Sequence, residues 1–177
     1  MDFEALFEDH FDAIYGYLAR RVGPDIARDL AAETFTRAYA ARKRFDPERG
    51  EPRAWLFGIA RKLLLKGASK ARTKDALVER LATELRVAEP FNYSVEDEPS
   101  GALRAALESL SMREREIVLM ASWEGLTPRE IGAVVGLPAN VIRVRLHRAR
   151  KRLKRSLFES GDAAADFLAG PGAPPAA

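Results

Sequence analysis

Apolar residues recur along this chain at intervals of three and four, the spacing of one face of an α-helix. Phe3, Leu6, Phe7, Phe11, Ile14 and Leu18 make the first stripe. Gly23-Pro24 ends that helix and starts another, in which Ile26, Leu30, Ala31, Phe35 and Ala38 keep the period to about Arg44. "RFDPERGEPR" breaks it with two prolines, a glycine and mixed charge, and reads as a loop. A third stripe carries Trp55, Leu56, Ile59, Ala60 and Leu63, then dissolves into "KGASKARTK". Three such helices predict a small bundle over residues 1–72. Residues 73–100 read as a linker, partly helical: "DALVERLATELRV" has the pattern of a short helix, whereas "AEPFNYSVEDEPSG" has none. Helical periodicity resumes for a second domain over residues 101–158. The tail, residues 159–177, is rich in small residues and proline, a composition that predicts disorder. No stretch alternates as a half-buried strand would. The expected fold is all-α, with two small helical domains joined by a flexible acidic linker.

The second domain holds the most specific local pattern. Thr127-Pro128-Arg129-Glu130 predicts a helix start, with Thr127 as cap, Pro128 in the first turn and Glu130 closing a capping box. Ser111-Met112-Arg113-Glu114 predicts a second such box, opening a helix with Ile117, Val118, Met120 and Ala121. Gly136 offers the left-handed turn that ends a helix, and a new helix follows from about Pro138. On it, Ile142, Leu146, Ala149 and Leu153 form one apolar stripe. Asn140, Val144, His147, Arg148 and Lys151 fall opposite, with Arg143 beside them. Two short helices around a glycine turn, the second basic on its outer side, describe a helix-turn-helix. The first half of such a helix meets base edges in the major groove. Lys151, Arg152, Lys154 and Arg155 are placed to meet phosphates. Trp123 is expected in the core.

Charge changes the picture by its placement. The formal net charge is only +3. Basic residues crowd positions 61–74 and 143–155, while 89–98 carries acid and no base. That asymmetry points to a polyanionic partner. The chain has no cysteine, which excludes disulfides and thiolate metal sites. Its two histidines, His10 and His147, fall in different domains, and no metal-ligand spacing appears. Asp29 and Glu33, one turn apart, could hold a metal, but such pairs are common on helices. The start is acidic and amphipathic, unlike a signal peptide, and no apolar run approaches a membrane span. These features predict a soluble cytoplasmic protein that is not an enzyme, needs no cofactor and has no membrane partner.

The first half settles the reading. "DIARDLAAETFTRAYAARKRF" followed by "RAWLFGIARKLLL" resembles region two of sigma factors. The stretch from "ALESLSMREREIVL" to "RLHRARKRL" resembles region four. Two motif blocks in that order, with a linker and no further regions, resemble a minimal sigma factor of the extracytoplasmic-function group. The resemblance implies binding to core RNA polymerase, promoter recognition and promoter opening, with an anti-sigma protein as a family expectation. It places core-polymerase docking at Asp29, Leu30, Glu33, Thr34 and Phe35. Leu30 and Phe35 fit a bundle core equally well, and Asp29 and Glu33 fit a plain solvated face. Arg28 stands where the family commonly has an acid, and Ala32 where it commonly has glutamine. The −10 contacts fall on the loop after Phe45 and on the helix from Arg53, with Arg61, Lys62, Lys66, Lys70 and Arg72 supplying charge. Single strands are held by such basic grooves together with pockets or aromatic platforms. Trp55 and Phe57 are the nearby aromatics, and Trp55 is expected in the core. Lys62 replaces a frequent asparagine.

The −35 contacts map to Asn140, Arg143, Val144, His147, Arg148 and Lys151. Val141 and Val144 stand where many relatives have threonine and serine, and Val144 can meet a thymine methyl. Glu89, Glu96, Asp97 and Glu98 fit either an RNA mimic in the polymerase channel or a solvated tether. The rival reading is a free-standing helix-turn-helix regulator that binds DNA without polymerase.

Overall fold

The computed structural model describes residues 2–48, 50–79 and 101–159, with side chains described as far as Gly67 in the first helical unit and Phe158 in the second. The acidic linker over 80–100 and the tail over 160–177 lie outside them. The elements among the described residues are all helical, in two separate units divided after Glu98.

The first unit is built from α1 (Phe3–Val22), α2 (Pro24–Ala41), a short 3-10 turn (Arg42–Arg44) and α3 (Pro52–Glu79). Asp2 caps α1 by accepting from the Glu4 and Ala5 N–H groups at 3.0 and 3.4 Å. Gly23 alone separates α1 from α2, with φ 79° and ψ 163°, a conformation closed to other residues without strain. Its N–H bonds the Ala19 carbonyl, and its carbonyl accepts from Ala27. The reversal lays α2 back along α1. Ala27, Ala31, Thr34 and Ala38 on α2 are buried, and these small residues let the helices approach closely. Ile14, Tyr17 and Leu18 of α1 and Leu56, Phe57, Ala60 and Leu63 of α3 complete the core.

Two expectations are corrected here. The third helix does not dissolve at "KGASKARTK" but continues through Glu79. Alanine, lysine and arginine are strong helix formers, and one glycine costs only about 1 kcal/mol. Second, the aromatic buried from α3 is Phe57, its ring edge-on to Tyr17 at 5.1 Å. Trp55 is half-buried and pairs with Phe45 at 4.9 Å.

The second unit comprises α4 (Gly101–Glu108), α5 (Met112–Ser122), α6 (Pro128–Val135) and α7 (Ala139–Glu159). Both predicted capping boxes are present, Ser111 with Glu114 and Thr127 with Glu130. Ile117, Val118, Leu119 and Met120 of α5 are completely buried. Trp123, expected in the core, caps α5 and is half-buried. Arg115 is buried instead, its guanidinium donating to the Leu107 and Glu108 carbonyls at 2.9 and 3.1 Å. It thereby satisfies carbonyls that the end of α4 leaves without helical partners.

Candidate nucleic-acid interface

The turn between α6 and α7 sets the candidate reading surface. Gly136 has φ 73° and ψ 39°, the left-handed conformation expected of it. Its N–H and that of Leu137 both reach the Gly132 carbonyl, at 2.9 and 3.0 Å. Gly132 is the residue that sequence reasoning missed here. A Cβ built on it would lie 2.5 Å from the Leu137 carbonyl oxygen, so the turn closes only over glycine.

The rotation of α7 about its axis follows from its apolar stripe. Ile142, Leu146, Ala149, Leu153 and Leu157 are all buried. Asn140, Arg143, Val144, His147, Arg148 and Lys151 are all exposed. The structure therefore brings the six together on the open side of one helix, where a major groove admits an α-helix. Lys154 is exposed one turn beyond Lys151.

Arg152, expected to meet phosphate, is engaged elsewhere. Its guanidinium donates to the Ser109 carbonyl at 2.8 Å and approaches the Glu114 carboxylate at 3.3 Å. Glu114 also accepts from the Ser111 hydroxyl at 2.6 Å and from its backbone N–H at 3.0 Å. Those two bonds, aided by the positive charges of Arg152 and Arg145, hold its carboxyl below the usual carboxylate range against the opposing effect of burial. Arg152 thus ties α7 to the corner between α4 and α5.

On the first unit the candidate docking residues divide. Asp29 is exposed, while Leu30 and Glu33 are half-buried. Glu33 accepts from Arg37 Nε at 2.6 Å. Thr34 and Phe35 face inward. The Thr34 hydroxyl donates to the Leu30 carbonyl at 2.7 Å, and Phe35 is 4% exposed among the rings of Phe3, Phe7 and Phe11. On α3, Lys62 and Lys66 are exposed and Arg61 is half-buried. Lys70 and Arg72 lie on the same helix, with side chains outside the described residues. The structure adds Lys43 and Arg44, exposed where the chain enters the loop toward the Phe45–Trp55 pair. Arg42 beside them folds back over the Tyr39 ring, 3.7 Å from its centroid. Among the described residues there is no group of three or more histidine, aspartate or glutamate side chains that could hold a metal. Nor is any helix there long and apolar enough to cross a membrane.

Comparison with known proteins gives this arrangement a family. Residues 6–73 match the family model described as Sigma-70 region 2, and residues 100–153 that described as Sigma-70, region 4. Sigma factor CarQ of Myxococcus xanthus is 33% identical over 162 residues, covering 89% of this chain and 90% of CarQ. The extracytoplasmic-function (ECF) sigma factor SigE of Mycolicibacterium smegmatis is 31% identical over 85% of this chain, which spans 60% of SigE. The chain belongs to the ECF RNA polymerase sigma factors.

This sigma factor also shares its fold with solved relatives. The sigma factor RpoE from Bartonella quintana, in complex with the anti-sigma factor NepR, matches with a TM-score of 0.63 at 23% identity, over 89% of this chain and 97% of that one. CnrH, in complex with the cytosolic domain of CnrY, matches with a TM-score of 0.57 at 25% identity, over 89% and 88%. The helix-turn-helix is accordingly region 4 of a sigma factor, preceded by region 2, and the reading as a free-standing regulator is set aside. An alternative sigma factor binds core RNA polymerase and directs it to promoter DNA for initiation.

Proposed function

We propose that this sigma factor divides promoter recognition between its two units. Region 4 reads the −35 element through Asn140, Arg143, Val144, His147, Arg148 and Lys151. Arginine forms bidentate bonds to guanine and asparagine to adenine, so these side chains carry base chemistry as well as charge. Region 2 holds the opened −10 strand along α3, with Arg61, Lys62, Lys66, Lys70 and Arg72, and with Lys43 and Arg44 at the mouth of the preceding loop. Asp29, Leu30 and Glu33 form the docking face for core polymerase. Thr34 and Phe35 support that face from inside the bundle.

The observation that carries this reading is the exposed set on α7, opposite a buried stripe that fixes the helix's rotation. The anti-sigma factor NepR bound to RpoE of Bartonella quintana supports a matching regulator for this chain. Its place of action is the cytoplasm, beside the polymerase, and it acts by binding, with no catalytic group of its own. The test is promoter-dependent transcription from core polymerase with and without the purified chain, scored with permanganate footprinting. Core polymerase plus the chain should start at defined sites with reactive thymines near −10. Starts that do not depend on the chain would overturn the reading.

A further inference from the structure

One residue in the middle of the α7 reading face has the wrong chemistry for solvent. Val144 is 51% exposed. Among the described residues, α7 exposes one other large apolar side chain, Phe158, at the far end of the helix. At about 100° per residue, Val144 projects about 160° away from both Ile142 and Leu146, so it points nearly straight out from the buried side. Lys151 lies about 20° from it around the axis, Asn140 and Arg148 about 40°, and His147 about 60°. It is therefore the centre of an arc of polar and charged groups. A β-branched residue there has a lower helix propensity than alanine and leaves about half of its surface open. Val141, three residues earlier, is half-buried.

The major groove offers an apolar partner of one kind, the C5-methyl of thymine. We propose that Val144 is a specificity-determining residue: it selects a thymine in the upstream promoter element by packing its γ-methyl groups against that base's C5-methyl. The flanking Asn140, His147 and Arg148 hydrogen-bond to the neighbouring base pairs, which leaves this position to be read by shape and methyl burial alone. The inference rests on α7 being the helix that reads the upstream element.

Deoxyuridine lacks only the methyl group and keeps thymine's hydrogen-bonding pattern, so it isolates the contact. The probe is a promoter duplex selected by the reconstituted holoenzyme from a pool randomised across the upstream element. Each thymine in that element is then replaced singly by deoxyuridine. At one position the native holoenzyme should lose about fourfold in affinity, the value of one buried methyl-sized group. Val144→Ala holoenzyme should bind the thymine and deoxyuridine duplexes equally. Val144 is exposed, so this variant keeps the fold, and an unchanged melting curve verifies it. Enrichment of no thymine, no deoxyuridine effect, or an equal effect in Val144→Ala would each overturn the proposal. Arg148→Ala separates the two levels of failure. If it relaxes upstream specificity while deoxyuridine is neutral, the thymine contact fails alone. If scrambling the upstream element changes nothing, α7 does not read it and both claims fall.

Discussion

At the scale of single residues, α7 mixes basic side chains with three different tasks. Arg143 and Arg148 are exposed in its first half, Lys154 is exposed further on, and Arg152 is tied down. Arg148→Ala should weaken promoter binding by about 1–3 kcal/mol, with a loss that depends on the upstream sequence. Lys154→Ala should weaken all promoters modestly and alike, and flatten the salt dependence by close to one counterion. Binding measured across a salt series on two unlike promoters separates the two. Arg152→Ala should leave that salt slope unchanged and lower the melting temperature instead, because it loses a carbonyl and a carboxylate within the protein. Glu114 adds a pH signature. Its folded pKa is depressed, so its contribution to stability is present above the ordinary value of about 4.5 and fades as pH falls through the folded pKa. Glu114→Gln should therefore melt lower than the native chain near neutral pH, with the gap narrowing in acid. A gap constant from neutral to acid pH would show that the ionised carboxylate contributes nothing.

At the scale of elements, the candidate docking helix can be taken apart by burial. Phe35 lies inside α1–α2 packing, so Phe35→Ala should cost about 3–5 kcal/mol in thermal or urea unfolding before any effect on polymerase is read. Asp29 is exposed, so Asp29→Arg should fold normally and lose affinity for core polymerase. A folded Asp29→Arg chain with native affinity would remove that residue from the docking face. Gly132→Ala should destabilise region 4, since its Cβ meets backbone that cannot give way. The contrast among these residues shows what sequence could reveal. Caps at Ser111 and Thr127, the turn at Gly136 and the open side of α7 were legible because each depends on neighbours within a turn or two. Arg152 was not, because its carbonyl partner lies 43 residues away. Phe57 and Trp55 are both aromatic and two residues apart, and only the position of Tyr17 on another helix decides which is buried. Gly132 drew no reading from the sequence, and its reason appears only when the Leu137 carbonyl is in place. The docking set and the −10 set came from the family resemblance, and burial now divides the docking set without testing its role.

At the scale of the whole molecule, the proposed division of labour sets two units on one chain to act on two elements of one promoter. Each reading surface is a few side chains on one helix, and single recognition modules hold DNA through modest interfaces whose non-specific part is weak at physiological salt. Affinity for a paired site then depends on what fixes the distance between the units. A tether alone supplies an effective concentration that varies gently with separation. A polymerase that binds both units supplies a rigid ruler. These alternatives predict different responses to spacer length. Inserting five base pairs between the −35 and −10 elements turns one element by about half a helical turn relative to the other, since the duplex repeats every 10–10.5 base pairs or so. The isolated chain should bind native and lengthened duplexes with similar, weak affinity. The holoenzyme should bind the native spacing tightly and lose most of its promoter opening on the lengthened one. Gel shifts and permanganate reactivity on a spacer series, with and without core polymerase, measure both. Equal spacing dependence in the two cases would mean that the chain itself is the ruler, and tight binding by the chain alone would mean that polymerase contributes chemistry but not recognition.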